Sequence, residues 1–525
     1  MASSYELRLS AEVINDPSVL MMEPLRSTES INLLTISDCP MISFPYGAEQ
    51  WFQKVSYLCE LNLERLQNLE SLTYFSSLEI LHMIDVPKLQ RVSYIPASLK
   101  QLRLQKLESL QDLPSFRDVS SLEILQMIDV PKLQRLPNFP ASLKQLRLQQ
   151  LESLQDLPSF RNVSSLKILY VIHAPKLQQL PSIPASLKNL KLEELELLMH
   201  LPCFRDDSSL KTLHVIDAPL RQLPNIPASL EQLWLERLES LQSLPSFKGD
   251  SSLKILHVKK VPLLRLLPEI PASLEHLEIK HLESLQHLSF SFSKSSLKIL
   301  HVKDVLQLRL LPEIPASLKH LTLEYLESLQ SLPSFRVDSS LEILRVENVP
   351  LLRLLPEMPA ALKCLTLQYL KSLRWLPISL PNSSLETLHI KMVPQLQLLP
   401  PKIPTSLIKL ELENLESLQC LPSSLLDVSS LEYLSLESIP NLKSLPDLPP
   451  SLSTLRLKKL DQLDCLPSCI SNLYSLTCID IGEACKLREL PDPPPSVNLL
   501  SIMGCHPELM ERYKEFSGSN WWIVE

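Results

Sequence analysis

Twelve histidines and ten cysteines are the side chains of this 525-residue sequence best suited to hold a metal or act as nucleophiles. Five of the histidines, His82, His214, His257, His301 and His389, recur at one position of a repeated segment, which aligns them along one face. Adjacent strands of a sheet lie about 4.8 Å apart, so members on alternate strands stand roughly 10 Å from one another. A zinc–nitrogen bond is about 2 Å long, too short for neighbours in such a column to share an ion. They read as duplicated surface residues, with His257, Glu278 and His301 expected to meet in cross-strand polar contacts. Cys465, Cys469, Cys478 and Cys485 cluster in sequence, and the first spacing suits zinc. The register nevertheless sends Cys469 to a return path and Cys478 to a strand, on different faces. No catalytic residue, metal site or cofactor is expected.

Glycine counting removes another class of chemistry. The five glycines are Gly47, Gly249, Gly482, Gly504 and Gly518, and the closest two are 14 residues apart. Neither a phosphate-cradling G-x-x-x-x-G-K nor a dinucleotide G-x-G-x-x-G can be written with them. Net charge is −8 with no long basic run, which argues against nucleic acid as a partner. No apolar run approaches the ~20 residues of a membrane span. The opening MASSYELRLSAEV lacks the basic region and apolar core of a signal peptide, and the cysteines form no framework, so a reducing, cytoplasmic setting is expected.

The elements that would position any site come from one repeated unit. Residues 295–338 hold two copies of a single design: L-x-x-L-x-L, then x-x-apolar, a leucine, and Leu-Pro. One copy begins its leucine series at Leu297, the other at Leu318. In the same register the chain offers Leu78, Leu122, Leu166, Leu210, Leu253, Leu341 and Leu385 as partners of the first. Leu99, Leu143, Leu187, Leu230, Leu274, Leu362 and Leu407 are partners of the second. Spacings alternate at about 21 and 23, inside the range of leucine-rich repeats, and about 22 repeats are counted. In Leu318–Glu324 the leucines Leu321 and Leu323 alternate with His320, Thr322 and Glu324, the period of a strand buried on one face. One repeat buries roughly 7 apolar side chains at ~2 kcal/mol each. Ordering its ~22 residues costs about 1.5 kcal/mol each, so only stacking makes it fold.

Prolines such as Pro312, Pro315 and Pro333 lie on the return path and forbid long helices there. Extended or short 3-10 segments are expected instead. Phe116, Phe160, Phe204, Phe247 and Phe335 recur about 44 residues apart, with Ile183, Ile226, Ile270 and Ile314 in the alternate units, which predicts an apolar spine under the convex surface. The fold expected is an α/β solenoid, a leucine-rich-repeat horseshoe with one curved parallel β-sheet on the concave face and mostly irregular or 3-10 convex segments. Residues 1–29 form a partial or poorly ordered start, 30–505 the solenoid, and 506–525 a capping helix and tail. In that helix Leu509, Tyr513 and Phe516 share one face.

The two ends carry a family resemblance. PLRSTESINLLTISDCPMISFPYGAEQWF at 24–52 and LPDPPPSVNLLSIMGCHPELMERYKEFSGSNWW at 490–522 resemble the repeat region of plant nucleotide-binding leucine-rich-repeat immune receptors, especially those of grasses. The second is similar to that family's closing segment, with Asn520 standing where the family has Asp. The resemblance covers nearly the whole chain and implies recognition of pathogen-derived molecules in defence. The implied partner is a protein: a pathogen effector, a host protein, or the switch domains of a related receptor. The family's coiled-coil and nucleotide-binding domains have no counterpart in this sequence. Cys478-Ile-Asp480 also matches the C-x-D of bacterial effector ubiquitin ligases, whose LPxLPxSL repeats resemble LPEIPASL here, but those carry the motif in a separate helical domain. Two other readings stand beside a sensor module: the recognition adaptor of a ubiquitin-ligase-type assembly, and a non-functional receptor fragment.

The candidate partner-binding surface is the concave face of the N-terminal half. Ile80, Ile84, Ile124, Ile128, Ile168, Ile172 and Ile216 take outward strand positions there, joined by Tyr170 and Trp234. Gln101, Gln105, Gln145 and Gln149 alternate with them, and Arg103, Arg147 and Lys191 stand on intervening strands. Further along, the place of Ile84 passes to Lys259, Lys303, Glu347, Lys391 and Glu437. A contiguous exposed apolar patch commonly marks a contact site, although β-branched residues also favour strands for their own sake.

Overall fold

The computed structural model describes residues 5–10, 31–44, 57–75, 77–288, 295–377, 383–514 and 522–524, with positions 48, 50, 52 and 380 between them. The chain divides into two compact units, Met1–Pro262 and Leu263–Glu525. Each is a coil of twelve parallel strands among the described residues. The first unit's strands run from Tyr5–Ser10 to Ile255–Lys259, and the second's from His276–Lys280 to Trp522–Val524.

A single repeat shows why these residues form these elements. In Ile124–Ile128 the side chains of Leu125 and Met127 are buried while Ile124, Gln126 and Ile128 are half-buried. The strand pairs in parallel with Gln145–Gln149, Leu125 opposite Leu146 and Ile128 opposite Gln149. A slip of one residue would expose both leucines, so the buried face sets the register. The residue after each strand from Ile31–Ser37 to Leu499–Met503 then takes a left-handed conformation, as in Asp85 (φ 61°), Asp129 (φ 59°) and Met392 (φ 55°). That backbone costs a non-glycine residue about 1–2 kcal/mol. It is offset because the ladder continues past the strand: Asp85 N donates to Gln105 O at 2.8 Å and Val86 N to Lys106 O at 3.2 Å.

The return path is built from Pro-Ala-Ser-Leu turns. Leu99 N donates to Pro96 O at 3.1 Å, and Ser98 Oγ reaches back to Leu78 O at 2.7 Å. Ser142 repeats the bond to Leu122 O and Ser186 to Leu166 O, so a serine clasps these pairs of turns, although Ala361 takes its place in a later one. The helical elements with described bounds are short: 3-10 turns at Ser423–Asp427 and Ser468–Asn472 and an α-helix, Pro507–Lys514. Leu509 and Tyr513 of that helix are buried, while Phe516 lies outside the described residues. No helix among the described residues is long and apolar enough to cross a membrane.

Outside the counted repeats, Tyr5–Ser10 pairs with Ile31–Ser37 and Trp522–Val524 with Leu499–Met503. One expectation changes. The phenylalanine spine is fully buried only at Phe116 and Phe160; Phe204, Phe247 and Phe335 are half-buried. Val119 and Val163 are buried three residues after the first two phenylalanines. Asp207, Asp250 and Asp338 occupy that position in the later units and are exposed. Two of them pair with the arginine after the phenylalanine, Arg205–Asp207 at 2.9 Å and Arg336–Asp338 at 3.0 Å. An aspartate cannot close over a ring as a valine does, so the spine opens.

Candidate functional site

Alternation along each strand presents three side chains per turn on the open face of the sheet. In the first unit the first column runs Ile80, Gln101, Ile124, Gln145, Ile168, Asn189 and Thr212. The third runs Ile84, Gln105, Ile128, Gln149, Ile172, Glu193 and Ile216 in the same register. These isoleucines are half-buried rather than fully exposed, because each lies between the glutamines, or their counterparts, of the adjoining strands. Isoleucine and amide therefore form ribs about one strand spacing apart.

The middle column carries the charge. Arg103 Nη2 donates to Gln105 Oε1 at 2.7 Å, and Arg147 Nη2 to Gln149 Oε1 at 3.5 Å. Both acceptors are neutral, and neither guanidinium forms an ion pair with an acidic side chain among the described residues. Lys191 is neutralised by Glu193 at 2.7 Å. Tyr170 stands between Arg147 and Lys191 in register. Beyond Lys191 comes a ring stack, with Trp234 at 5.5 Å from the His214 ring and 4.5 Å from that of His257, the latter nearly parallel. Arg103 Nε and Trp234 Nε1 are buried with no hydrogen-bond partner among the described residues. Buried donors of that kind are uncommon and call for an explanation.

All eleven residues singled out for this surface, Ile80, Arg103, Ile124, Ile128, Arg147, Ile168, Tyr170, Ile172, Lys191, Ile216 and Trp234, stand on the open face of the first unit. Two histidines of the middle column are harder to protonate than a free imidazole. Burial pushes the His82 imidazole below its ordinary value, aided by Arg103. Burial does the same for His214, with Lys191 and His257 adding to it. Among the described residues no three His, Cys, Asp or Glu side chains converge as metal ligands. Cys469 lies on the 3-10 turn and Cys478 on a strand.

The same face of the second unit is organised differently. Glu324, only 9% exposed, accepts from Lys303 at 2.9 Å and lies 3.6 Å from Arg345, which in turn holds Glu347 at 2.6 Å. Burial raises the Glu324 carboxyl, but the Lys303 hydrogen bond and the charges of Lys303, His301 and Arg345 outweigh it and hold it below the usual carboxylate range. His301 sits 3.6 Å from Glu278, the cross-strand contact expected for that pair. Lys391–Glu413 and Lys458–Asp480 continue the pattern. Here the open face satisfies its own charges.

A second surface escaped the sequence reading. Where the chain leaves the turn after each strand, the run L-R-L-L at Leu264–Leu267 and Leu352–Leu355 buries its first and last leucines and exposes the Arg-Leu pair between them. Leu308–Leu311 does the same. The available signal was the recurrence of Arg265-Leu266, Arg309-Leu310 and Arg353-Leu354 at intervals of 44.

Comparison with known structures places this geometry. The chain is similar to YopM from Yersinia enterocolitica WA-314, at 27% identity and a TM-score of 0.53, covering 84% of this chain and 91% of that one. It is also similar to YopM, a leucine-rich effector protein from Yersinia pestis (23% identity, TM-score 0.38, 60% of this chain and 84% of that one). A third similar structure is the LRR ectodomain of the plant membrane receptor kinase GASSHO1/SCHENGEN3 from Arabidopsis thaliana in complex with CASPARIAN STRIP INTEGRITY FACTOR 2 (16% identity, TM-score 0.25, 100% and 87%). No family model and no curated protein sequence matches the chain. The fold is that of the leucine-rich-repeat proteins, a parallel-strand solenoid with little helix. That class supports reading the chain as a protein-interaction module.

Proposed function

We propose that the chain is a non-enzymatic protein-recognition module that holds a protein partner on the open face of its first unit. Its role resembles that of the sensor region of plant nucleotide-binding leucine-rich-repeat immune receptors, exercised in the cytoplasm. The observation that carries this reading is the pairing of half-buried isoleucine ribs with the guanidinium groups of Arg103 and Arg147, whose hydrogen-bond acceptors are neutral. Binding energy in protein interfaces concentrates in a few apolar, aromatic and arginine side chains, and this face offers all three with Tyr170 and Trp234. A partner presenting apolar side chains and carboxylates would satisfy both features. Ten free thiols, two of them buried, suit a reducing compartment.

The test uses the full chain, immobilised and exposed to extract of the cells that express it. The double variant Ile124→Glu and Ile168→Glu, and separately Arg103→Glu, are expected to lose the protein captured by the parent. Lys391→Glu, in the second unit, is expected to keep it. Capture by the isoleucine variant at the parent's level would overturn the proposal.

A further inference from the structure

The flank of the second unit, on the return side of its turns, carries exposed apolar side chains that packing does not require. Leu266, Leu310, Leu354, Trp375 and Leu398 are 45–61% exposed. Backbone bridges join His287 to Leu310 and Trp375 to Leu398, so these positions continue the strand ladder. Leu354, Trp375 and Leu398 lie on consecutive turns, about one strand spacing apart, whereas Leu266, Leu310 and Leu354 lie on alternate turns. Leu354 and Trp375 line one groove of about 500 Å³ together with Arg353, Lys371, Ser372, Arg374 and Gln395. Three cations face that groove and no acid lines it. None of the three forms an ion pair with an acidic side chain among the described residues.

The corresponding place in the first unit shows that the repeat does not demand this composition. Arg91 and Asp112 are bridged there and lie 3.9 Å apart as an ion pair. The equivalent groove, about 590 Å³, is lined by Gln111, Asp112, Lys132, Gln134, Arg135 and Ser153. It contains no apolar side chain and includes an acid. Leucine and tryptophan at these positions are thus a local substitution, and each leaves apolar surface in water that burial against a partner would remove.

We propose that this flank is a docking groove for an acidic peptide segment bearing bulky apolar side chains, with Leu354 and Trp375 receiving the apolar groups and Arg353, Lys371 and Arg374 the carboxylates. Charge complementarity selects this occupant: three unpaired cations surround two apolar walls. A broad anionic surface fits less well, because the two preceding units of the same type carry exposed Glu283 and Glu327 where Lys371 stands. The basic character is confined to the width of a chain segment. This surface is separate from the open face of the first unit and does not depend on that reading.

The experiment titrates the full chain with a labelled synthetic peptide of alternating glutamate and leucine, followed by anisotropy. Glutamate–serine and lysine–leucine peptides serve as controls. Binding of the glutamate–leucine peptide alone is expected, weakening as salt rises. The double variant Leu354→Gln and Trp375→Gln should weaken it at least about tenfold, and the isoleucine double variant of the first unit should leave it unchanged. Reversing the cations, Arg353→Glu with Arg374→Glu, should transfer preference to the lysine–leucine peptide. That gain of function guards against a variant that only misfolds. Unchanged glutamate–leucine binding in both variants would overturn the proposal. So would equal binding of the glutamate–serine peptide. Adsorption to phosphatidylserine vesicles without peptide binding would also overturn it. Self-association abolished by Leu354→Gln with Trp375→Gln, again without peptide binding, would assign the face to a second copy and contradict the proposal.

Discussion

The two units bury the same residues and expose opposite ones. Leu125 in the first and Leu344 in the second are wholly buried at equivalent strand positions. On the open face, Ile84, Ile128, Ile172 and Ile216 of the first unit correspond to Lys303, Glu347 and Lys391 of the second. On the flank the exchange runs the other way, with Arg91, Asp112 and Arg135 giving way to Leu310, Leu354 and Trp375. What recurs in both units is the inward leucines, the left-handed turn and, in most pairs of turns, the clasping serine. The residues between them differ from unit to unit, with apolar side chains on the open face of the first unit and on the flank of the second. A repeat protein can therefore carry two differently placed interaction surfaces on one scaffold.

The largest way to sharpen that contrast is to disturb the charged face of the second unit. Glu324→Gln removes the carboxylate shared by Lys303 and Arg345 and should lower unfolding free energy by about 2 kcal/mol in urea denaturation. Gln149→Ala at the matching column of the first unit should change it by under ~0.5 kcal/mol. Equal effects would mean that the second unit's network is ordinary surface charge.

A smaller effect links both units through pH. Burial lowers the imidazole values of His82, His214, His301 and His389 from 6.5. As pH falls below 6.5 the unfolded chain takes up protons that the folded chain refuses, so the stability they lend is present above 6.5 and is lost toward their lowered values. Glu324 acts lower, its contribution present above 4.5 and lost as pH falls through its depressed value. Urea midpoints measured from pH 7.5 to 5.5 should decline, and replacing the four histidines with glutamine should flatten the slope. A slope unchanged by that replacement would show that the column titrates alike in both states.

How much of this was legible follows from which residues repeat by type. Leucine spacing specified strands, register and the inward face, because burial demands one residue class at fixed intervals. The candidate face followed from the same alternation, down to the placing of Arg103 and Arg147 between isoleucine ribs. The left-handed turn was not legible: Asp85, Gln150, Tyr325 and Met392 share no chemistry, since backbone bonds offset the strain whatever the side chain. Nor was the flank stripe. Leu354 reads as one more core leucine in Leu351-Leu-Arg-Leu-Leu355, and only the chain's path shows which of them meet water. The phenylalanine spine failed for a related reason, since Phe204 keeps its type while its covering valine becomes Asp207.

The account rests on Ile124 and Ile168 facing outward while Leu125 between them faces the core. Thermal melting of the full chain by circular dichroism tests this directly. Ile124→Glu with Ile168→Glu should shift Tm by no more than a few degrees, since neither charge is sealed from water. Leu125→Glu places one unpaired carboxylate in a dry core, at a cost of several kcal/mol, and should remove strand signal and depress Tm far more. If the isoleucine pair melts the protein as severely as Leu125→Glu, those side chains belong to the core, and the first unit has no free apolar face with which to bind a partner.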